Sequence, residues 1–248
     1  MLTVCTERRT ALPLPRGNGF LCLLNLMKKE YSDLFEAVNA QKNFKAVIFD
    51  MDGLVFDTER VFMEQLAVAM KEKGYSLSRE VYIKTTGTTG STLKNIMLAN
   101  YGDDYPLEEC SHVAQSRLEI IAETVGLNIK PQIQELLEML KEKNIPCAVA
   151  SSTKSVYIKK YLGQSGLLEY FSEIIGGEMV LHSKPEPDIF LMACEKLKTA
   201  PSAALVLEDS ENGVKAAYTA GIPVICIPDL KEPDKDILKM AAAVVRKA

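Results

Sequence analysis

Five short apolar runs alternate with helical patterns along most of the chain, and this alternation restricts the fold more than any other feature. The runs are often β-branched and do not strictly alternate polar with apolar side chains, which is typical of strands covered on both faces. They lie at residues 45–49, 145–151, 172–177, 203–209 and 222–227. Helical periodicity fills residues 130–143, 153–165, 186–198 and 211–220. The sequence therefore predicts an α/β fold with a doubly wound parallel sheet.

The interval after the first run is much longer than the others. Within it, residues 59–126 show only helical patterns, and Gly74, Gly102 and Gly126 stand at positions typical of helix ends. An insertion that leaves from the carboxyl end of the first strand is expected to lie above that edge of the sheet. The prediction is an α/β core with an inserted all-helical cap domain and a partly helical N-terminal extension, with boundaries at 1–43 for the extension, 44–57 and 128–248 for the core, and 58–127 for the cap.

The N-terminal extension shows two different patterns. Residues 1–27 contain prolines and glycines and have no helical period, which favours a linker or tail. After them, Tyr31, Leu34, Phe35 and Val38 follow helical spacing. The extension is therefore expected to contain one short amphipathic helix that packs on the core.

The composition excludes several kinds of protein. With 47% hydrophobic and 25% charged residues, the chain falls in the ordinary globular range. A formal net charge of −4 provides no basic field, so no nucleic-acid partner is expected. Six scattered cysteines without a CxxC pair indicate neither a disulfide framework nor a zinc site. Reduced thiols of this kind favour a cytoplasmic protein. No apolar run reaches the roughly 20 residues of a spanning helix, so no membrane partner is expected.

Polar side chains follow four of the five apolar runs. Because the carboxyl ends of parallel strands meet at one edge of a sheet, these side chains are expected to converge there. Clustered carboxylates repel one another unless a hard divalent cation lies among them, and this indicates Mg²⁺. The polar residues, in chain order, are Asp50 and Asp52, then Ser151, Ser152 and Thr153, then Lys184, and finally Glu208, Asp209 and Ser210.

This inventory is typical of a phosphoryl-transfer centre. Lys184 and Ser151, with the amides at the start of the helix that follows, can bind a phosphate group. Asp50 and Asp52 stand two residues apart and point to the same side if the strand continues. One carboxylate can then attack phosphorus, while the other donates and accepts protons.

Each motif alone also has a structural explanation. The stretch DMDG could form a turn or part of a calcium loop, SST could cap a helix, KPEPD could be a loop that starts a helix, and LED could be a solvated strand end. All four occur in order, however, and each follows a strand-like run. This order favours the functional interpretation.

The four motifs DMDGLVFDTE, ASSTK, SKPEPDIF and LEDSENGVKAAYTAG together resemble those of the haloacid dehalogenase-like hydrolase superfamily, in its β-phosphoglucomutase-like and small-phosphatase branch with a helical cap. The resemblance covers about residues 44 to 240 and implies a Rossmann-like core. It implies that Asp50 is the nucleophile and Asp52 the general acid and base. It further implies phosphate or substrate binding by Ser151, Ser152 and Lys184, and Mg²⁺ binding by Asp50, Asp52, Glu208 and Asp209.

The same resemblance bears on the reaction. The second aspartate favours phosphoryl chemistry over dehalogenation. Sugar-phosphate mutases of this branch use a cap-loop arginine and a histidine on the first cap helix, whereas this chain has Gly90 or a threonine and Phe62 near those positions. In the same cap loop, TTGTTGST could contact the leaving group or be a flexible loop, and Lys94 is the only nearby base. Asp57 and Glu59 are expected to cap the first cap helix and to form hinge hydrogen bonds.

We therefore predict a Mg²⁺-dependent phosphatase that hydrolyses a small phosphomonoester, a sugar phosphate or nucleotide-like compound, through an aspartyl-phosphate intermediate. The expected partner is a small phosphorylated metabolite, and the protein is expected to be a monomer or a weak homodimer. One alternative is a phosphomutase of the β-phosphoglucomutase type. A second is a binding or regulatory protein built on an enzyme scaffold.

Overall fold

The computed structural model describes residues 34–86, 88 and 90–246. Its centre is a parallel sheet of six strands in the order β3-β2-β1-β4-β5-β6. The predicted α/β fold class is confirmed. The strands are β1 (Ala46–Phe49), β2 (Cys147–Ser151), β3 (Glu173–Gly176), β4 (Ala204–Glu208), β5 (Val224–Cys226) and β6 (Ala243–Val244).

Helices cover both faces of the sheet and form the insertion after β1. The insertion contains α1 (Thr58–Glu72), α2 (Arg79–Thr85), α3 (Gly90–Tyr101) and α4 (Leu107–Thr124). The helices that accompany the sheet are α5 (Pro131–Glu142), α6 (Ser155–Gln164), α7 (Asp188–Lys196), α8 (Glu211–Thr219) and α9 (Lys235–Leu238). Among the described residues, none of these helices combines the length and apolarity that crossing a membrane requires.

Burial explains why the strands appear in the sequence as unbroken apolar runs. Every residue of β1, β2, β4 and β5 is buried, because each of these strands has helices on both faces. Successive residues of a strand point to opposite faces of the sheet. Val47 packs with α5 and α6 on one face, and Ile48 packs with α7 and α8 on the other. The helical residues 34–40 join the first of these clusters, where Leu34 and Val38 are buried as the helical spacing predicts.

The sequence does not predict three of the elements, namely β6, α2 and the four-residue helix α9. Strand β6 is a two-residue strand within an alanine-rich segment, and it forms by pairing with β5. Helix α2 has only seven residues and includes β-branched Val81 and Ile83, which weaken a helical signal. It forms because Ser78 caps it by accepting a hydrogen bond from the Val81 amide at 3.4 Å, and because Val81 and Tyr82 are buried in the insertion.

The insertion has its own apolar core and meets the sheet domain through two adjacent linkers. Its core includes Leu66, Met70, Tyr82 and Met97. The two linkers are joined by backbone hydrogen bonds, from the Asp57 amide to the Asn128 carbonyl and from the Lys130 amide to the Val55 carbonyl, each 3.1 Å long. The domain boundaries at 57/58 and 127/128 stay predictions.

Some predictions fall outside the described residues. These are the tail at 1–27, Tyr31 of the amphipathic helix, and positions 87 and 89 of the TTGTTGST loop. Gly90, which stands near the position of the cap-loop arginine of the mutases, is the first residue of α3.

Candidate active site

The carboxyl end of β1 brings Asp50 to the centre of the sheet edge. Phe49 pairs in register with Val149 of β2 and Leu207 of β4, so the next residues of all three strands meet. The Asp50 amide donates to the Leu207 carbonyl at 3.0 Å, and the Asp50 residue is only 6% exposed. The predicted nucleophile therefore lies between Ser151 and Glu208.

Lys184 reaches this edge from the loop after β3 and joins two carboxylates. Its Nζ lies 2.5 Å from Asp50 Oδ1 and 2.8 Å from Glu208 Oε1. It also donates to the Ala150 carbonyl at 3.1 Å, and it lies 4.8 Å from the centre of the Phe190 ring. The Lys184 side chain is 6% exposed, so its charge acts in a site with little water.

Three carboxylates converge beside this lysine. Asp50, Glu208 and Asp209 each offer one oxygen, and these oxygens lie within 4.8 Å of one another. Glu208 Oε2 is held by the Asp209 amide and the Ser210 amide, both at 2.8 Å, and by the Ser210 hydroxyl at 3.0 Å. The turn after β4 thus fixes the orientation of the Glu208 carboxylate.

The electrostatics of this cluster fit a further cation. Burial raises the pKa of Asp50 to about 8; Lys184 opposes this rise, and the charges of Glu208 and Asp52 add to it. Burial and the charges of Glu208 and Asp50 likewise hold the pKa of Asp209 well above its ordinary value. Burial acts to lower the pKa of Lys184, but Asp50 and Glu208 outweigh it and the net direction is upward. One ammonium group therefore does not balance three carboxylates, and the hard oxygen donors suit Mg²⁺.

Two glycines leave space for the carboxylates. A Cβ on Gly53 would lie 2.2 Å from Asp209 Oδ2, and the φ of Gly53 is +79°, a left-handed conformation that favours glycine. A Cβ on Gly213, in the first turn of α8, would lie 1.7 Å from Glu208 Oε1. Both acidic side chains are thus accommodated against bare backbone.

Asp52 lies at the same edge and is oriented by hydroxyl groups. Asp52 Oδ2 accepts hydrogen bonds from Ser151 Oγ at 2.9 Å and from Thr153 Oγ1 at 2.8 Å. Ser151 Oγ in turn accepts from the Thr153 amide at 3.0 Å. Ser151 is buried, whereas Ser152 is exposed and lines a cavity with Asp52.

Two backbone amides at the start of α6, where the sequence predicts phosphate binding, already have hydrogen-bond partners. The Ser155 amide donates to the Glu178 carboxylate, at 3.0 and 3.1 Å, and the Ser155 hydroxyl donates to Glu178 Oε1 at 2.6 Å. The Thr153 amide is also engaged, with Ser151. These two amides are therefore not directed at a phosphate group, because a carboxylate and a hydroxyl already accept their hydrogen bonds.

Lys130 and Asp229 belong to the surroundings of the site but had not been assigned from the sequence. Lys130 Nζ lies 2.6 Å from Asp229 Oδ1 and also donates to the Gly53 carbonyl, and both charged side chains are at most 10% exposed. Asp229 follows the fifth strand, which is the signal that could have drawn attention to it. Nothing in the sequence around Lys130 indicates that its side chain reaches the site. Thr153, which donates a hydrogen bond to Asp52, belongs to the SST motif.

The two acidic residues where the chain enters the insertion act in different ways. Asp57 precedes α1, but its side chain makes no capping hydrogen bond because it pairs with Arg60 at 2.8 Å. The capping prediction is therefore wrong for Asp57, and its hinge hydrogen bond, made by the backbone amide, is confirmed. Glu59 accepts a hydrogen bond from the Tyr82 hydroxyl at 3.0 Å, which ties α2 to α1.

A cavity of about 680 Å³ opens beside Asp52, between the insertion and the sheet domain. Helices α1 and α4 line it on one side, and the loop after β2 with α6 lines it on the other. Phe62, which stands near the histidine position of the mutases, is part of its wall. The cavity is large enough for a small organic molecule in contact with Asp52.

Known proteins are similar to this chain in both sequence and fold. The phosphorylated carbohydrates phosphatase of Thermotoga maritima is 31% identical over 179 residues, which cover 72% of this chain and 82% of that protein. The fructose-1-phosphate phosphatase YqaB of Escherichia coli is 26% identical over 187 residues, 74% of this chain and 96% of that one. The crystal structure of CbbY from Rhodobacter sphaeroides in complex with phosphate has a TM-score of 0.65 and 26% identity, over 81% of this chain and 93% of that chain.

The family itself follows from a match over most of the chain. Residues 47–227 match the model of the haloacid dehalogenase-like hydrolase family. Two of the relatives named above are phosphatases, which supports the prediction of a phosphomonoester hydrolase. The chain belongs to the haloacid dehalogenase-like hydrolase family.

Proposed function

We propose that this protein is a Mg²⁺-dependent phosphatase that hydrolyses a small phosphomonoester through an aspartyl-phosphate on Asp50. The observation that carries the proposal is the convergence of Asp50, Glu208 and Asp209 around Lys184, with Asp52 at the same sheet edge. The names of the two phosphatase relatives, and the phosphate in the CbbY structure, support the same class of substrate.

The first half of the reaction uses both aspartates. A carboxylate oxygen of Asp50 attacks phosphorus and forms a phosphorus–oxygen bond, while the bond to the leaving alcohol breaks. Protonated Asp52 gives its proton to the departing oxygen. Ser151 and Thr153 hold the Asp52 carboxylate in place during this transfer. Lys184 balances the negative charge that the phosphate brings to the buried site.

The second half returns the enzyme to its starting state. Asp52, now ionised, takes a proton from water as the water oxygen attacks the phosphoryl group. Inorganic phosphate leaves and the Asp50 carboxylate is restored. Asp50, Glu208, Asp209 and the Asp52 backbone carbonyl would hold Mg²⁺. When bound, the ion compensates the charge of the carboxylates and of the phosphate.

The proposal is tested by replacing the nucleophile with its amide. Asp50→Asn keeps the size of the side chain and removes the attacking carboxylate, so phosphate release from p-nitrophenyl phosphate with Mg²⁺ should fall by roughly 10³-fold or more. Asp103→Asn, at an exposed position in the insertion, is the matched control and should keep full activity. Full Mg²⁺-dependent activity in Asp50→Asn would exclude this mechanism.

The same assay separates hydrolysis from the mutase alternative. A phosphomutase converts a hexose 1-phosphate to its 6-phosphate and depends on a bisphosphate, whereas a phosphatase releases inorganic phosphate. We expect free phosphate without isomerised product, because Phe62 stands near the histidine position of the mutases and lines the cavity. Isomerised hexose phosphate as the main product would favour the mutase.

We also propose that residues 58–127 form a cap that closes over residues 44–57 and 128–248. The separate apolar core of the insertion and the hydrogen-bonded pair of linkers support this division. Closure of such a cap would exclude water from the buried carboxylates during phosphoryl transfer.

A further inference from the structure

Half of the residues that line the cavity beside Asp52 are polar, aromatic or apolar groups that the phosphoryl chemistry does not use. We call this part of the cavity the leaving-group chamber, and it is formed by Phe62, Gln115, Leu118, Glu119, Tyr157 and Tyr161. Because Asp52, which protonates the departing oxygen, lines the same cavity, the alcohol released from phosphorus when Asp50 attacks would occupy this chamber. The chamber therefore contacts the part of the substrate that distinguishes one phosphomonoester from another.

One wall of the chamber is aromatic and apolar. Tyr157 and Tyr161 lie on one face of α6, with ring centres 6.3 Å apart and ring planes 30° from parallel. Tyr161 is 5% exposed, and Leu118 on α4 is 6% exposed. Such surfaces bind the flat or apolar face of a ring, and their polar edges accept or donate hydrogen bonds.

The charged groups of the chamber disfavour a second anion. Glu119 is the charged residue of the chamber itself, and among the described residues that line the whole cavity Lys154 is the single basic one. Lys154 is exposed, so solvent screens its charge more than that of half-buried Glu119. A second phosphate or a carboxylate on the leaving group would therefore meet net repulsion.

The polar groups of the chamber suit neutral hydroxyls. Gln115 Nε2 donates to Glu119 Oε1 at 3.1 Å, one turn further along α4. The amide oxygen of Gln115 and the carboxylate of Glu119 are acceptors for the hydroxyl groups of a bound alcohol. This pair faces the cavity that the two tyrosines line.

Two contacts join α4 to α6 beyond the chamber. Lys160 forms an ion pair with Glu123, and Gln164 Nε2 donates to the Glu123 carbonyl at 3.0 Å. These contacts join the insertion to the sheet domain at one end of the chamber. Both contacts are exposed, so they join the two walls only weakly and leave the insertion able to close over a ligand.

We propose that the leaving-group chamber selects phosphomonoesters whose leaving group is a neutral, hydroxyl-bearing ring with no second anionic group. This proposal rests on the proposed phosphatase function and narrows its substrate class. Glu119 excludes a second anion, and Tyr157 and Tyr161 bind the ring face.

The charge rule is tested with Glu119→Lys. The assay compares kcat/KM for neutral-ring monophosphates, such as glucose 6-phosphate and ribose 5-phosphate, with that for fructose 1,6-bisphosphate and phosphoglycolate. The unaltered enzyme should prefer the neutral-ring esters, and Glu119→Lys should shift the ratio towards the doubly anionic esters by about tenfold. Glu108→Lys, the same charge change in the exposed first turn of α4, should leave the ratio unchanged. A preference for the doubly anionic esters in the unaltered enzyme, or the same ratio in Glu119→Lys, would overturn the proposal.

The ring contact is tested with Tyr157→Ala. This change should raise KM for the ring esters severalfold with little effect on kcat, and it should leave KM for glycerol 2-phosphate, which has no ring, almost unchanged. Val156→Ala removes an exposed neighbour on the same helix and is the control. An equal change in KM for ring and acyclic esters would contradict the assignment of Tyr157.

The two proposals fail in distinguishable ways. If the enzyme releases no phosphate from any ester, including p-nitrophenyl phosphate, the phosphatase function itself is wrong. The enzyme could instead release phosphate while Glu119→Lys leaves the kcat/KM ratios between substrates unchanged and Tyr157→Ala leaves the KM ratios unchanged. In that case the phosphatase function stands and the chamber does not select the leaving group.

Discussion

At the scale of single residues, the position of Glu208 depends on the absence of a side chain opposite it. Gly213 lies in the first turn of α8, where a Cβ would overlap the Glu208 carboxylate. The backbone of the turn after β4 holds that carboxylate through Oε2, so it cannot move away without losing hydrogen bonds. Glycine at this position is therefore a requirement of the carboxylate cluster.

Gly213→Ala should displace Glu208 and weaken Mg²⁺ binding. Because alanine favours helix more than glycine does, a loss of helix propensity cannot explain the defect. We expect the Mg²⁺ concentration for half-maximal activity to rise by about tenfold or more, which corresponds to about 1.4 kcal/mol. Gly163→Ala, a helical glycine of α6 with no atom within 4 Å of the added Cβ, is the control. Unchanged Mg²⁺ dependence in Gly213→Ala would show that Glu208 does not contribute to the metal site.

At the scale of elements, the Lys130–Asp229 pair ties the returning cap linker to the loop after β5. Lys130 also donates to the Gly53 carbonyl, next to Asp52, so three connecting segments meet at one ammonium group. Lys130→Met leaves buried Asp229 without its ion pair, and we expect about 3 kcal/mol of destabilisation in urea unfolding. In a double-mutant cycle, Asp229→Asn should cost much less when Lys130 is already methionine. Additive effects of the two changes would mean that the pair contributes no coupling.

The elements also show what a sequence can predict. Strands β1, β2 and β4 were predictable because burial on both faces requires unbroken apolar runs, and their polar ends converge because parallel strands meet at one edge. By contrast, β6 forms through its pairing with β5, and α2 depends on packing against the other helices of the insertion. The sequence does not indicate Lys130 either, because its contacts with Gly53 and Asp229 join segments far apart in the chain.

At the scale of the whole molecule, the carboxylate cluster makes stability depend on pH. In the unfolded chain Asp50 ionises near its ordinary pKa of 3.8, whereas burial raises its pKa to about 8 in the folded protein. The folded protein therefore binds a proton that the unfolded chain releases between these values. Because the unfolded state binds fewer protons there, the free energy of unfolding falls as pH rises.

We expect the metal-free protein to be less stable at about pH 8 than at about pH 5 in urea unfolding, and Mg²⁺ to stabilise it more at the higher pH. Binding of Mg²⁺ is favoured there because the carboxylates must lose their protons to bind the ion. Asp50→Asn removes one of the titrating carboxyl groups and should weaken the pH dependence of the metal-free protein, while Asp209, whose pKa is also raised, keeps the remainder. A rise in stability of the unaltered, metal-free protein over this pH range would contradict the assigned electrostatics.

The proposed mechanism requires that Asp50 carry the phosphoryl group during turnover. The most direct measurement is acid quenching of the enzyme mixed with Mg²⁺ and a phosphomonoester, followed by mass spectrometry of the peptide that contains residues 46–59. The predicted result is one phosphoryl group on Asp50, present during turnover and absent from Asp50→Asn. Phosphate release with no phosphorylated Asp50, or with the phosphoryl group on Ser151, would contradict it.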